Sequence, residues 1–555
     1  MIKENFISLF ETSFKQNWKL PAYTDYTLGT TISYGEAAQK IQRLHILFKE
    51  AKIKQGDKIA LIGKNTPNWA ISFVATVTYG AVIVPILQDF NANDVHHIVN
   101  HSESAFLFCS DTIWDNLEED KMENLLAAFS IDDFRCIHQK DGAGIQRIVA
   151  NIETLFANKY PQGYTAKQIQ YATRDNSQLA MINYTSGTTG FSKGVMLTAN
   201  NLAGNITFGF QTKLLKSGDK VLSFLPLAHA YGCAFDFLVP TCSGCHIHFL
   251  NKIPSPKVLL KAFEEVKPNV IFMVPLILEK VYKKSIQPSL NKTGIKLALN
   301  IPLLNTKIYD QVNKKLTDSF GGEFAEIIIG GAALNKEVEE FLTKIGFRFT
   351  VGYGMTECAP LISFAHHKDF KPSSAGKVLD TMQVKIDSPD PYTIVGEILV
   401  KGENVMQGYY KNETATSAVF TEDGWLRTGD LGTIDEDNYI FIKGRSKSMI
   451  LGSSGQNIYP EEIEAKLNNL PFVMESLVIE KNGKLVALVY PDYEAMDASQ
   501  LSQQDLTLLM EENRTNLNAT VAVYENLAKI HLYPNEFEKT PKRSIKRYLY
   551  TNISI

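Results

Sequence analysis

The chain has no uninterrupted apolar run of the roughly 20 residues that a membrane-spanning helix needs. Its first residues, Met1-Ile-Lys-Glu-Asn-Phe-Ile-Ser-Leu-Phe-Glu, break their apolar positions with acids and amides, unlike the core of an export signal. A cytoplasmic location is the expectation, with peripheral contact at a membrane left open. A basic excess is also missing: the formal net charge is −4, which gives no nucleic-acid surface. Cysteine is scarce, with six among 555 residues. Cys242-Ser-Gly-Cys245-His246 spells the haem-attachment pattern C-x-x-C-H. That reading fails, because attachment requires export and the flanks Phe237-Leu-Val-Pro and Ile247-His-Phe-Leu read as buried helix and strand. Zinc is unsupported too, since no second C-x-x-C stands at a suitable spacing.

What is present is a large α/β protein. Hydrophobic residues make up 45% and charged residues 21%, ordinary globular values. Continuous β-branched and apolar runs ended by Gly or Pro recur at Lys58–Gly63, Ala81–Pro85, Ala105–Cys109, Val221–Pro226, Asn269–Pro275 and Glu326–Gly331. These read as buried parallel strands. Amphipathic stretches such as Lys257–Val266 and Asn335–Ile345 separate several of them, which predicts layered sheets with helices on their faces. Residues 375–445 carry shorter runs, among them Gly396–Gly402, and read as antiparallel or barrel strands. A small α+β domain is expected over 446–555. Its helix would begin at Pro460-Glu-Glu, a hairpin would turn at Asn482-Gly483, and a second helix would run from Ser502 to Leu517.

Four strings carry chemistry. Residues 184–195, Tyr-Thr-Ser-Gly-Thr-Thr-Gly-Phe-Ser-Lys-Gly-Val, hold five Ser/Thr hydroxyls, three glycines and one lysine in twelve positions. Glycines let backbone amides converge on an anion, so the string reads as a polyphosphate cradle. It is not a Walker A loop, because Ser192 replaces the second glycine and Gly194 stands at the metal-binding hydroxyl. Val351-Gly-Tyr-Gly-Met-Thr-Glu357 offers Tyr353 as a platform for a purine and Glu357 as an oxygen ligand for phosphate-bound magnesium. Asp430, in Thr428-Gly-Asp, could accept from a ribose diol; taken alone, a hairpin with an Asx turn is the favoured reading. Lys443-Gly-Arg-Ser-Lys, followed by Gly452-Ser-Ser-Gly, puts cations and a glycine-rich turn at the expected domain junction, where a charged linker is the plain alternative.

Taken together and in order, with Leu225-Pro-Leu-Ala-His-Ala-Tyr and Gly330-Gly-Ala-Ala-Leu, these strings resemble the adenylate-forming superfamily over nearly the whole chain. Ser223-Phe-Leu-Pro-Leu-Ala-His and Val274-Pro-Leu-Ile-Leu-Glu-Lys-Val-Tyr look most like long-chain fatty acid–CoA ligases. The resemblance implies a large N-terminal AMP-binding domain over 1–445, with a barrel-like subdomain at 375–445, and a mobile C-terminal domain over 446–555. It implies ATP, Mg2+ and coenzyme A as cosubstrates, and a carboxylate that becomes an acyl-adenylate and then a thioester. Thr185, Ser186, Gly187, Thr188, Thr189, Gly190 and Lys193 would hold the β- and γ-phosphates, and Glu357 with Thr185 would hold magnesium. Tyr353 would stack on adenine, with Gly331 and Gly352 allowing close approach. Thr356 would meet the α-phosphate, and Asp430 and Arg445 would bind the ribose. His229 would lie between acyl pocket and nucleotide, Lys447 at the domain hinge, and Gly455 along the pantetheine channel. A homodimer is left open.

One departure stands out. The family's C-terminal lysine falls on Ser544 when Glu538-Lys-Thr-Pro-Lys-Arg-Ser-Ile-Lys-Arg is anchored on Thr540 and Ile545. Lys542 and Lys546, two positions either side, would share its face in an extended strand and are the expected replacements. The competing readings are adenylation with transfer to a carrier protein, aryl-acid activation, and a non-catalytic nucleotide- or acyl-binding relative.

Overall fold

A computed structural model describes residues 2–185, 192–252, 254–290, 292–451, 456–540, 545–551 and 553. Its largest sheet has eight strands. Val82–Ile86, Lys58–Ile62, Ser104–Cys109 and Ala127–Ser130 run parallel beside Leu179–Thr185, and antiparallel strands close both edges. The inner strands are buried end to end, which is why their sequences read as unbroken apolar runs. Helix Pro67–Tyr79 covers one face. Thr66 Oγ1 accepts from Trp69 N at its start, Pro67 opens its first turn, and Gly80 closes it. Its Trp69 and Phe73 stack on each other, and both meet Phe237 edge-on.

A four-stranded sheet contains Lys220–Ser223, His246–Phe249, Pro21–Asp25 and Thr30–Ser33 in that order. His246 therefore belongs to a strand, and all six cysteines are free thiols, five of them buried. A parallel sheet of three short strands, Ile271–Met273, Ile327–Ile329 and Phe349–Val351, delivers the chain to the glycines at 330–331 and 352. Residues 382–445 form an antiparallel sheet of four strands, Met382–Asp387, Gly396–Gly402, Leu426–Ile434 and Ile440–Arg445. A bridge between Lys377 and Tyr439 ties this sheet to a neighbouring small one.

Beyond residue 446 the buried apolar residues form clusters of their own, built on Ile458, Ile463, Leu467 and the strands Val473–Lys481 and Lys484–Pro491. The hairpin between those strands turns with Asn482 at φ 50° and Gly483 at φ 73°, the left-handed pair that a two-residue turn requires. Helix Gln503–Asn518 is capped by a Ser502/Asp505 capping box and crosses over to the parallel strand Leu527–Leu532. Polar contacts join this unit to the larger one. Lys283 Nζ donates to Asn468 O, Asn335 Nδ2 to Asn469 Oδ1, and Lys443 pairs with Glu462.

Candidate active site

Thr185 ends a strand and faces Lys193, which begins the antiparallel return, so the strand pair frames both ends of the Ser/Thr/Gly string. Ser186, Gly187, Thr188, Thr189 and Gly190 lie outside the described residues. Tyr184 fixes the strand end behind them through a 2.7 Å bond between its hydroxyl and His101 Nδ1. Lys193 Nζ stands 5.0 Å from the centre of the Tyr409 ring. The Tyr409 hydroxyl donates to Glu357 Oε1 at 3.0 Å, and Met406 N donates to Glu357 O at 2.8 Å. Burial, followed by the Glu357 charge, drives the Tyr409 phenol far up, so it stays a donor. One contact chain thus joins 185–193, 357 and 409.

A second chain joins 353, 430 and 445. The strands Leu426–Ile434 and Ile440–Arg445 place Asp430 directly opposite Arg445. Arg445 Nη1 donates to Asp430 Oδ1 at 2.7 Å, and the Tyr353 hydroxyl donates to Asp430 Oδ2 at 2.6 Å. Burial pushes the Asp430 carboxyl up while the Arg445 guanidinium pulls it down; the net direction is up. Tyr353 is not an open platform: it is buried, with its hydroxyl committed to Asp430. Each Asp430 oxygen keeps a second lone-pair site, so the carboxylate can still accept from a ligand hydroxyl.

A cleft opens beside Tyr353. Its lining includes His229, Gly331, Gly352, Tyr353 and Thr356 together with the apolar Phe208, Leu214, Leu215, Phe235, Val239 and Phe364. Gly331 sits at φ 86°, a conformation that a side chain would strain. Gly209 also lines the cleft and packs helix Ala199–Thr212 against Val239; Gly204 and Gly232 pack against Asn404 and the Pro226 carbonyl. His229 Nδ1 accepts from Tyr231 N at 3.3 Å, which leaves the proton of the neutral ring on Nε2.

The His229 turn is held from outside by residues that sequence reasoning did not single out. Asn65 Nδ2 donates to Leu225 O, and Leu227 N donates back to Asn65 Oδ1. Asn183 Nδ2 donates to Ala228 O, and the Tyr231 hydroxyl to Ile328 O. Asp236, on the π-helix Gly232–Leu238, accepts from Phe224 N and Leu225 N, both at 3.0 Å. Burial drives the Asp236 carboxyl up to about 8. Tyr409 was missed as well. It sits on a two-residue edge strand whose pairing no sequence pattern announces.

Lys447 is exposed in the turn after Arg445, where Ser448 N and Met449 N both donate to Arg445 O. Gly455, Lys542 and Ser544 lie outside the described residues. Ile545 bridges to Lys539, and Lys546 Nζ is 3.5 Å from Glu538 Oε2. No group of three or more His, Cys, Asp or Glu ligands for a metal occurs among the described residues. Glu357, a hard oxygen donor linked through Tyr409 to Lys193, fits a magnesium ion that takes its remaining ligands from phosphates and water.

The sequence profile of the AMP-binding enzyme family matches residues 10–410. The chain belongs to the AMP-binding enzyme family. A long-chain-fatty-acid–CoA ligase of Mycobacterium tuberculosis is 28% identical over 93% of this chain and 90% of its own length. A peroxisomal long chain acyl-CoA synthetase of Arabidopsis thaliana is 30% identical over 83% of this chain and 68% of its own. The o-succinylbenzoate CoA synthetase of Bacillus subtilis, solved with its acyl-adenylate intermediate, shares the fold with a TM-score of 0.74 and 21% identity, covering 100% of this chain and 99% of that one. Among the described residues of this AMP-binding enzyme, no helix is long and apolar enough to cross a membrane.

Proposed function

We propose that this AMP-binding enzyme is an acid–thiol ligase that converts a medium- to long-chain fatty acid, ATP and coenzyme A into acyl-CoA, AMP and pyrophosphate. The observation that carries the reading is the lining of the cleft. It sets His229, Gly331, Tyr353 and Thr356, groups suited to a nucleotide and a carboxylate, in one cleft with Phe208, Leu214, Leu215, Phe235, Val239 and Phe364.

The chemistry follows from charge. A carboxylate is a poor electrophile, and both reactants are anions, so the protein must gather negative charge and align it. The fatty-acid oxygen attacks the α-phosphorus of ATP, an acyl–O–P bond forms, the α–β phosphoanhydride breaks, and pyrophosphate leaves. The thiol sulfur of CoA then attacks the acyl carbonyl, AMP leaves with the C–O bond electrons, and the thiol proton passes to solvent. Thr185, Ser186, Gly187, Thr188, Thr189, Gly190 and Lys193 hold the β- and γ-phosphates, and Thr356 holds the α-phosphate. Bound magnesium, held by Glu357 and Thr185, offsets phosphate charge. Tyr353, Gly331 and Gly352 border the adenine, and Asp430 and Arg445 accept and donate at the ribose. His229 Nε2–H faces the junction of acid and nucleotide.

The unit after residue 446 is taken as a domain that turns about Lys447 between the two steps, with Gly455 lining the thiol's path. Lys542 or Lys546 supplies the cation that Ser544 cannot. Lys542→Ala or Lys546→Ala is expected to slow pyrophosphate release by about 10²–10³ while leaving transfer from preformed acyl-adenylate to CoA close to normal. Normal adenylation by both variants overturns that assignment. Six free thiols fit a reducing, cytoplasmic setting. The function is tested by a chain-length series of fatty acids with ATP and CoA, scored by thioester formation. Thioester with aryl acids alone, or transfer only to a purified carrier protein, would replace the reading, and absence of pyrophosphate release with every acid would make the protein a ligand-binding relative.

A further inference from the structure

Residues 292–307 form an exposed helix–turn–helix tip that is both apolar and basic. Helix Thr293–Leu299 buries none of its residues, and helix Leu304–Ser319 buries only Leu316. At the turn between them Leu297, Ile301, Leu303 and Leu304 are 65%, 50%, 79% and 44% exposed. A single exposed leucine needs no explanation, but four branched side chains within eight residues at one turn form a patch. The charge around them is one-sided. From residue 280 to 309 there are six lysines and no Asp or Glu, in a chain whose net charge is −4. Lys292, Lys296 and Lys307 are exposed and flank the apolar turn in sequence.

Exposed apolar side chains flanked in sequence by exposed lysines match the two layers of a lipid surface, acyl boundary below and anionic headgroups above. A second copy of this chain is a poor partner, because a two-fold contact would set this lysine-rich face against itself.

We propose that this tip docks the protein on an anionic phospholipid bilayer. Leu297, Ile301, Leu303 and Leu304 enter the headgroup–acyl boundary, and Lys292, Lys296 and Lys307 face lipid phosphates. The inference goes beyond the fatty-acid reading, although it places the protein where long-chain acids partition.

The test is cosedimentation of the full chain with vesicles of phosphatidylcholine alone or mixed with phosphatidylglycerol, at about 0.1 M and about 0.5 M salt. The protein is expected to sediment with the anionic vesicles and to be released by the higher salt. Leu303→Asp combined with Leu304→Asp is expected to weaken partitioning at least tenfold. Reversing Lys292, Lys296 and Lys307 to Glu should remove the preference for anionic lipid, each lysine contributing about fivefold. Thermal midpoints of the variants should stay at the wild-type value. Equal binding by variants and wild type, or no binding by wild type, overturns the proposal. So does a wild-type dimer in light scattering that the Leu variant breaks without any lipid binding. Failure of every acid to form a thioester would count against the fatty-acid reading alone, since vesicle binding is read without turnover.

Discussion

Asp236 and Glu357 show how differently two carboxyls can serve one site. Glu357 keeps a hydroxyl donor at one oxygen and faces the frame of the phosphate string. Glu357→Gln preserves the acceptor for Tyr409 but removes the charge, so it is expected to leave the thermal midpoint near wild type and to cut pyrophosphate release by about 10²–10³; unchanged release across a magnesium titration would contradict this. Asp236 is buried, with Oδ2 bonded to two amides and Oδ1 unpartnered among the described residues. Its folded carboxyl titrates near 8 instead of 3.8, so the native state holds a proton that the unfolded chain releases. Stability from this group is full below about pH 4 and is lost as pH rises toward 8, by up to about 1.4 kcal/mol per pH unit. Asp236→Asn removes the titration. Urea midpoints at pH 6.5 and pH 8 should therefore show wild type losing more stability over that interval than the variant, and parallel losses would refute it.

At the scale of elements, the close crossing of helix Ala199–Thr212 and the segment after the π-helix is decided by one residue. A Cβ on Gly209 would lie 2.5 Å from a Val239 methyl. Alanine in a helix gains about 1 kcal/mol over glycine. Overpacking against a stiff β-branched neighbour costs about 1–3 kcal/mol, so the net effect of Gly209→Ala is destabilising. Because Gly209 also lines the cleft, the variant should lose activity with longer acids before shorter ones, and a uniform loss across chain lengths would contradict this. Elements of this kind were mostly legible in the sequence. The runs Lys58–Gly63 and Glu326–Gly331, the Ser502 cap and the Asn482-Gly483 turn write their structure locally. The site was legible only as separate strings. Tyr409 against Glu357, Tyr353 on Asp430, and Asn65 and Asn183 on the His229 turn depend on registers between strands far apart in the chain, which no local period encodes. Glycines flanking Tyr353 signal space around the ring, whereas the fold packs Leu361, Phe364 and the Pro360 carbonyl at those glycines and ties the ring's hydroxyl to Asp430.

For the whole molecule, three histidines set the acid limit. Burial lowers His45 and His246 to about 4 and His248 to about 3, and His248 Nε2 has no partner among the described residues. Unfolded histidines titrate near 6.5, so the unfolded chain binds more protons below that value. Stability is present above about pH 6.5 and drains as pH falls toward 3–4. Thermal midpoints measured from pH 7 down to pH 4 should fall, and less steeply in His248→Leu; identical slopes would exclude this source. On the proposed function, Thr185 and Lys193, residues 353–357 and residues 430–445 serve one magnesium nucleotide beside an apolar cleft. Fatty-acid-dependent exchange of labelled pyrophosphate into ATP, without CoA, tests it most directly. Exchange is expected to require both magnesium and a medium- or long-chain acid and to collapse in Glu357→Gln. Folded protein that exchanges nothing with any acid, or exchanges equally well without Glu357, would contradict it.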